Sequence, residues 1–179
     1  WVVSAAIRAP YVALCPQLPW TRWVPNIAMP IAMVLATCGI GLRQPFTLGA
    51  RRGAAFDPAK PGFAAVSRHP LFLALALWAG AHLIPNGALA TVILFGSFLG
   101  MALVAIPAFD ARARRSLEPN EAEAFFARTA ILSPAPLLRG DWLRVNGRRM
   151  AFRAAVGLFL WLALLHLHTL VIGVSPFPV

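Results

Sequence analysis

Four apolar runs divide the chain: Pro25–Leu42, Pro70–Ile84, Ala88–Phe109 and about Ala151–Gly173, each flanked by polar or basic residues. Runs in which nearly every residue is apolar predict membrane-spanning helices. The second is short for a hydrocarbon core that takes about 20 helical residues, so it fits a thinned bilayer or a helix that begins below the membrane plane. Pro30 falls near the start of the first run, where a membrane helix tolerates proline. Residues Trp1–Leu14 are apolar but interrupted by Arg8 and Pro10. They read as the end of a further helix that begins upstream, and they lack the charged start and small-residue cleavage site of a signal peptide. The expected fold is all-α: a polytopic transmembrane helical bundle of four to five spans and one domain over residues 1–179, with N-terminal helices missing.

The breaks between runs carry their own signals. Pro85-Asn86-Gly87 is short enough to make the second and third spans an antiparallel hairpin, with Asn-Gly expected to supply left-handed backbone. Gly96 and Gly100 lie four residues apart on one helix face, which either permits close helix approach or reflects the abundance of glycine in membrane helices. A short cytoplasmic amphipathic helix is predicted over about Asn120–Thr129. Asn120 would be its N-cap, Glu121 and Glu123 would sit at its positive end, and Phe125 and Phe126 would dip into the interface.

Composition agrees with the pattern. The chain is 59% hydrophobic and 12% charged, against about 25% charge in a soluble domain. The net charge of +10 does not indicate nucleic acid, because the charges are segregated between apolar runs. Of the 16 Lys and Arg residues, 14 fall in the segments Arg43–Arg68 and Arg112–Arg153. That side is expected to be cytoplasmic and the location a bacterial inner membrane, with the lipid bilayer as the principal partner. Trp20 and Trp23 would mark the outer interface and Trp142 the inner approach to the last span. Cys15 and Cys38 lie too far apart in depth for a disulfide and have no metal-site spacing.

The four histidines separate by depth. His69 starts the second run, and His82 follows 13 residues later, about 20 Å along a helix. His166 and His168 fall in the last third of the fourth run, at roughly the depth of His82. They are about 200° apart around a helix, so at most one should face His82. Two imidazoles at one depth on different helices can hold a b-type haem between them; the same residues can also simply hydrogen-bond backbone. Zinc is disfavoured, since it needs three or four ligands and the carboxylates are all in loops. Ser67 or His69 can cap the helix that Pro70 begins. Arg68 with His69 is a possible anion or substrate site. Asp110 opens the basic run to Arg115, which reads as a solvated anchor, and the scattered Gly49 and Gly53 form no phosphate loop.

The block from Ser67-Arg68-His69-Pro70 through Trp78 and His82 to Asn86-Gly87 resembles the core of the NnrU membrane family. Leu94-Phe95-Gly96, Asp110-x-Arg112, Gln44-Pro45-Phe46, Phe56-Asp57-Pro58 and the tail around His168 and Pro176 extend the resemblance over nearly the whole chain. Bacterial members of the family are implicated in nitrite and nitric oxide metabolism, and a plant relative is 15-cis-zeta-carotene isomerase, a haem-dependent membrane enzyme. The resemblance implies that His82 ligates haem b. Ala79 stands where the isomerase has a cysteine, and the family's other ligand histidine lies in an N-terminal helix, so a second ligand here would be His166, His168 or a residue of a partner membrane protein. A weaker resemblance is to isoprenylcysteine-type membrane methyltransferases, through Arg68-His69-Pro70 and Arg128-Thr129-x-Ile131-x-x-Pro134. The paired glutamates of that pattern are absent upstream, leaving Glu118. Three functions follow as expectations: a haem protein of nitrogen-oxide or isoprenoid redox physiology, a methyltransferase, and a non-catalytic membrane assembly partner.

Overall fold

The computed structural model describes residues 5–6, 8–16, 18–51 and 53–177. Five helices carry the described chain: α1 (Trp23–Gly39), α2 (Pro70–Leu83), α3 (Leu89–Ser116), α4 (Pro119–Arg128) and α5 (Gly140–Ile172). Single 3-10 turns at Pro19–Arg22, Gly62–Ala65 and Ala135–Leu138 connect them. Among the described residues, extended pairing is limited to the bridge between Ala13 and Ala88. The fold is all-α, as the apolar runs predict.

Among the described residues, two helices are long and apolar enough to cross a membrane, α3 with 28 residues and α5 with 33. α1 has 17 residues and α2 has 14, short of the roughly 20 that a full crossing takes. The surface supports a lipid environment. Gly157 is the single buried residue in α5, while Phe152, Phe159, Leu170 and Val171 lie exposed along its length. Apolar area of that extent is tolerated where the solvent is itself apolar.

α1 packs against both α2 and α5, and α2 packs against both α1 and α3. The helices therefore lie in the order α5–α1–α2–α3. Small side chains fill the seams: Ala28, Ala32 and Gly39 of α1, Ala74, Ala79 and Ala81 of α2, and Ala102 and Ala113 of α3 are buried. Small residues let helix backbones approach, and dispersion then holds them where lipid removes the hydrophobic driving force.

Of the two readings of Gly96 and Gly100, the structure favours simple abundance of glycine over close approach: a Cβ at either would meet nothing within 4 Å. The glycine that permits close approach is Gly157, where a Cβ would lie 2.7 Å from Thr37 Oγ1 and 2.9 Å from the Met33 carbonyl oxygen on α1. Gly87 also serves a different purpose from the one expected. No non-glycine residue among those described has a positive φ, and Gly87 itself has none. A Cβ there would collide with the Cys15 carbonyl, because the N-terminal segment runs against this turn. Leu14 N–H donates to Gly87 O at 2.8 Å, and Leu89 N–H donates to Val12 O at 2.8 Å. The expected helix over Trp1–Leu14 lies partly outside the described residues. Residues 5, 6 and 8 are helical, and the chain is extended after Pro10.

α4 forms one residue earlier than expected, with Glu118 rather than Asn120 at the N-cap and Pro119 at the first position. Its Phe125 does not reach toward lipid. It is buried with Phe46 and Ala113, with edge-to-face contacts to Phe46 and Phe56 at 5.8 and 4.8 Å. This aromatic cluster fastens the loop after α1 and helix α4 to the end of α3.

Candidate functional site

Chemistry-bearing side chains gather at the two ends of α2. At its N-terminal end, the loop after α1 folds back on itself. Gly41 and Gly49 both adopt positive φ, 73° and 71°, which glycine alone adopts without steric cost. Gly41 N–H donates to Gly49 O at 2.8 Å and Arg51 N–H to Leu42 O at 2.9 Å. This fold places Gln44 and Thr47 against the segment that enters α2. The Gln44 amide donates to Arg68 O at 2.7 Å and accepts from Phe46 N–H at 3.0 Å.

Arg68 and His69 both reach Asp110 on α3. Arg68 Nε and Nη2 donate to the two carboxylate oxygens at 2.8 and 2.6 Å, a bidentate pair, and His69 Nε2 lies 2.8 Å from Oδ1. His69 is fully buried. Burial pushes its pKa below the ordinary histidine value, and the hydrogen bond to Asp110 opposes that shift in part. The neutral ring donates from Nε2 to Asp110 and accepts at Nδ1 from the Thr47 hydroxyl at 3.2 Å. Phe126 lies under two guanidinium groups, Arg114 at 3.9 Å and Arg68 at 5.1 Å from the ring centre, a favourable placement for cations.

The row Thr47–His69–Asp110 has the order of a proton relay, but its hydroxyl is buried and the Arg68 guanidinium is already committed to Asp110. Its chemistry is cohesion: one carboxylate ties the entry of α2 to the end of α3. His69 is the N-cap residue of α2 but makes no capping bond, because its ring is turned toward Thr47 and Asp110. Ser67 does not cap either, and its hydroxyl is buried without a partner among the described residues. Asp110 is thus no solvated anchor. The sequence shows Asp110 in the Asp110-x-Arg112 motif at the end of an apolar run but not its partners, which lie on other elements, and Thr47 carries no local signal.

At the C-terminal end of α2, His82 is half-buried. Its Nδ1 donates to Trp78 O at 2.8 Å, and its ring stacks on Phe95 with centres 5.2 Å apart and planes at 28°. Trp78 packs edge-on against Phe95 and Phe98, so aromatic rings wall this end of the α2–α3 hairpin. On α5, His166 is exposed and its Nδ1 donates to Leu162 O at 2.8 Å. His168 is half-buried and its Nδ1 donates to Val174 O at 2.7 Å. An imidazole whose Nδ1 holds the proton keeps its lone pair on Nε2, the state that ligates a metal. No group of three or more metal-binding side chains occurs among the described residues. The donor set therefore fits a metal that brings its own equatorial ligands, as haem does, and does not fit zinc.

No curated protein and no solved structure matches this chain. The family model described as NnrU protein matches residues 1–176, all but the last three positions, and the chain belongs to the NnrU family.

Proposed function

We propose that this NnrU-type protein is a four- to five-span protein of the bacterial inner membrane that binds haem b at its outer end, in nitrite or nitric oxide metabolism or in haem-dependent isomerisation of an isoprenoid. The observation that carries the reading is His82. Its proton is fixed on Nδ1 by the Trp78 carbonyl, Nε2 is left free, and aromatic rings flank it. His168 is the preferred second ligand, ahead of His166, because it is half-buried where His166 is exposed. α1 and α2 would cross where the bilayer is thin, with the basic loops on the cytoplasmic side.

Haem bound there would supply an iron centre able to bind a small diatomic molecule or to exchange electrons with a lipid-soluble substrate. The chain's own contribution is binding and orientation. The Trp78 carbonyl fixes the tautomer and ring angle of His82, which raises its basicity toward iron. Phe95 and Phe98 exclude water from one side. Ala79, fully buried, offers no thiol, so ligation by cysteine at this position is closed to the protein.

The test is the absorption spectrum of the purified, haem-reconstituted protein. A Soret band is expected in the wild type, lost in His82→Ala, changed in form in His168→Ala and unaltered in His166→Ala. A band that survives His82→Ala unchanged overturns the assignment.

A further inference from the structure

Between the loop before α2, the segment after α4 and the first turn of α5 lies a cavity of about 720 Å³. It is at the opposite end of α2 from His82. Lys60, Arg128 and Arg139 reach its lining from three separate segments, and Asp141 is the one carboxylate there. Asp141 is 3.8 Å from Arg139 and both are largely exposed, so their attraction is weak and leaves the guanidinium free to rebind.

Donors outnumber acceptors around this space. α5 opens onto it, and its N-cap residue Arg139 supplies no side-chain acceptor to the first turn. The amides of that turn keep unsatisfied donors and the positive end of a 33-residue helix. Trp142 lines the cavity as well. The remaining wall is largely apolar, with Thr129, Ser133 and Asn146 as its polar members. Ala130 N–H donates to Ala64 O at 3.2 Å and Ser133 N–H to Val66 O at 2.8 Å, so the segment after α4 is stapled to the segment entering α2. The volume is within the range of small-molecule sites and far larger than a lone inorganic anion occupies.

We propose that this cavity binds a phosphate-bearing small molecule, its phosphate held by Lys60, Arg128, Arg139 and the first turn of α5, and its organic body lying against the apolar wall. The phosphate belongs either to a soluble metabolite or to a phospholipid headgroup. Guanidinium groups and helix N-termini both recognise phosphate by charge-assisted hydrogen bonds.

The test is calorimetric titration of the full chain in nanodiscs of neutral phosphatidylcholine, with empty nanodiscs subtracted. The probes are pyrophosphate and, separately, dioctanoyl phosphatidic acid. Saturable binding of pyrophosphate supports the site with a soluble ligand, and saturable binding of phosphatidic acid alone supports it with a headgroup. Two charge-assisted bonds are lost in the double variant Arg128→Gln/Arg139→Gln, which should weaken binding about tenfold or more. Arg112→Gln/Arg115→Gln removes the same charge from exposed positions outside the cavity and should leave binding within about twofold. The proposal is overturned if neither probe saturates, if the Arg128/Arg139 variant binds like wild type, or if both double variants weaken binding equally.

Discussion

The two ends of α2 hold histidines of opposite character. At the N-terminal end, polar side chains reach across elements: Arg68 and His69 to Asp110 on α3, Thr47 and Gln44 back to the α2 entry. Arg153 of α5 does the same for α1, donating to Cys38 O at 3.1 Å and Ile40 O at 2.6 Å at the helix C-terminus. At the C-terminal end the imidazoles of α2 and α5 turn back on their own helix or its tail, to Trp78 O, Leu162 O and Val174 O. The first arrangement commits the Asp110 carboxylate, the His69 imidazole and the Arg68 guanidinium to holding helices together. The second uses one nitrogen for orientation and leaves the other free. A histidine's depth and neighbours in sequence do not reveal which of these it will be; the partner of its second nitrogen does.

The comparison is broken most decisively at Asp110. Asp110→Ala strands the Arg68 guanidinium in a buried site and should cost about 3–5 kcal/mol, measured by reversible unfolding in detergent. Replacing both partners with leucine should recover most of it, and a cost below about 1 kcal/mol for the single variant would show the cluster to be dispensable. Gly157→Ala comes next, at about 1–3 kcal/mol, because the new methyl meets backbone on α1. Gly96→Ala, with open space around it, should be neutral or slightly stabilising. Arg153→Ala removes the cation that satisfies the α1 C-terminal carbonyls and should cost about 1–2 kcal/mol. His82→Ala loses a single intrahelical bond and should cost about 0.5–1.5 kcal/mol while abolishing the Soret band. If its cost matched that of Asp110→Ala, the division between cohesive and available ends would fail.

The smallest expected effect is on pH dependence. His69 has a folded pKa below its ordinary value of 6.5, so the unfolded chain binds the extra proton first. Stability should be fully present above about pH 6.5 and decline as pH falls below it. The groups facing the ring, Asp110, Arg68 and Thr47, hold their states across that window. Melting temperatures compared between pH 7.5 and 5.5 should fall less in His69→Gln than in wild type, and a matching fall in the variant would assign the slope to other groups.

Much of the fold was legible because membrane helices are written locally. The runs Pro70–Ile84 and Ala88–Phe109 became α2 and the apolar part of α3, and Pro85-Asn86-Gly87 became the turn between them. The reasons assigned to glycines were less secure, since α2, α3 and α5 are apolar nearly all round and no face is marked for burial. Gly157 and Gly96 look alike in sequence; only the position of Met33 and Thr37 on α1 separates them. For the site, Arg68, His69 and His82 were visible as polar residues in or beside apolar runs. Asp110 was visible but misread, and Thr47 passed unnoticed.

By itself, the sequence determined the helical class and the NnrU family, because apolar runs and family motifs are properties of contiguous residues. Tertiary structure decided which end of α2 is a clasp and which is open. Arg68 and Asp110 are 42 positions apart, and an ion pair between them exists only once the α2–α3 hairpin has closed and the loop bearing Gln44 and Thr47 has folded beneath it.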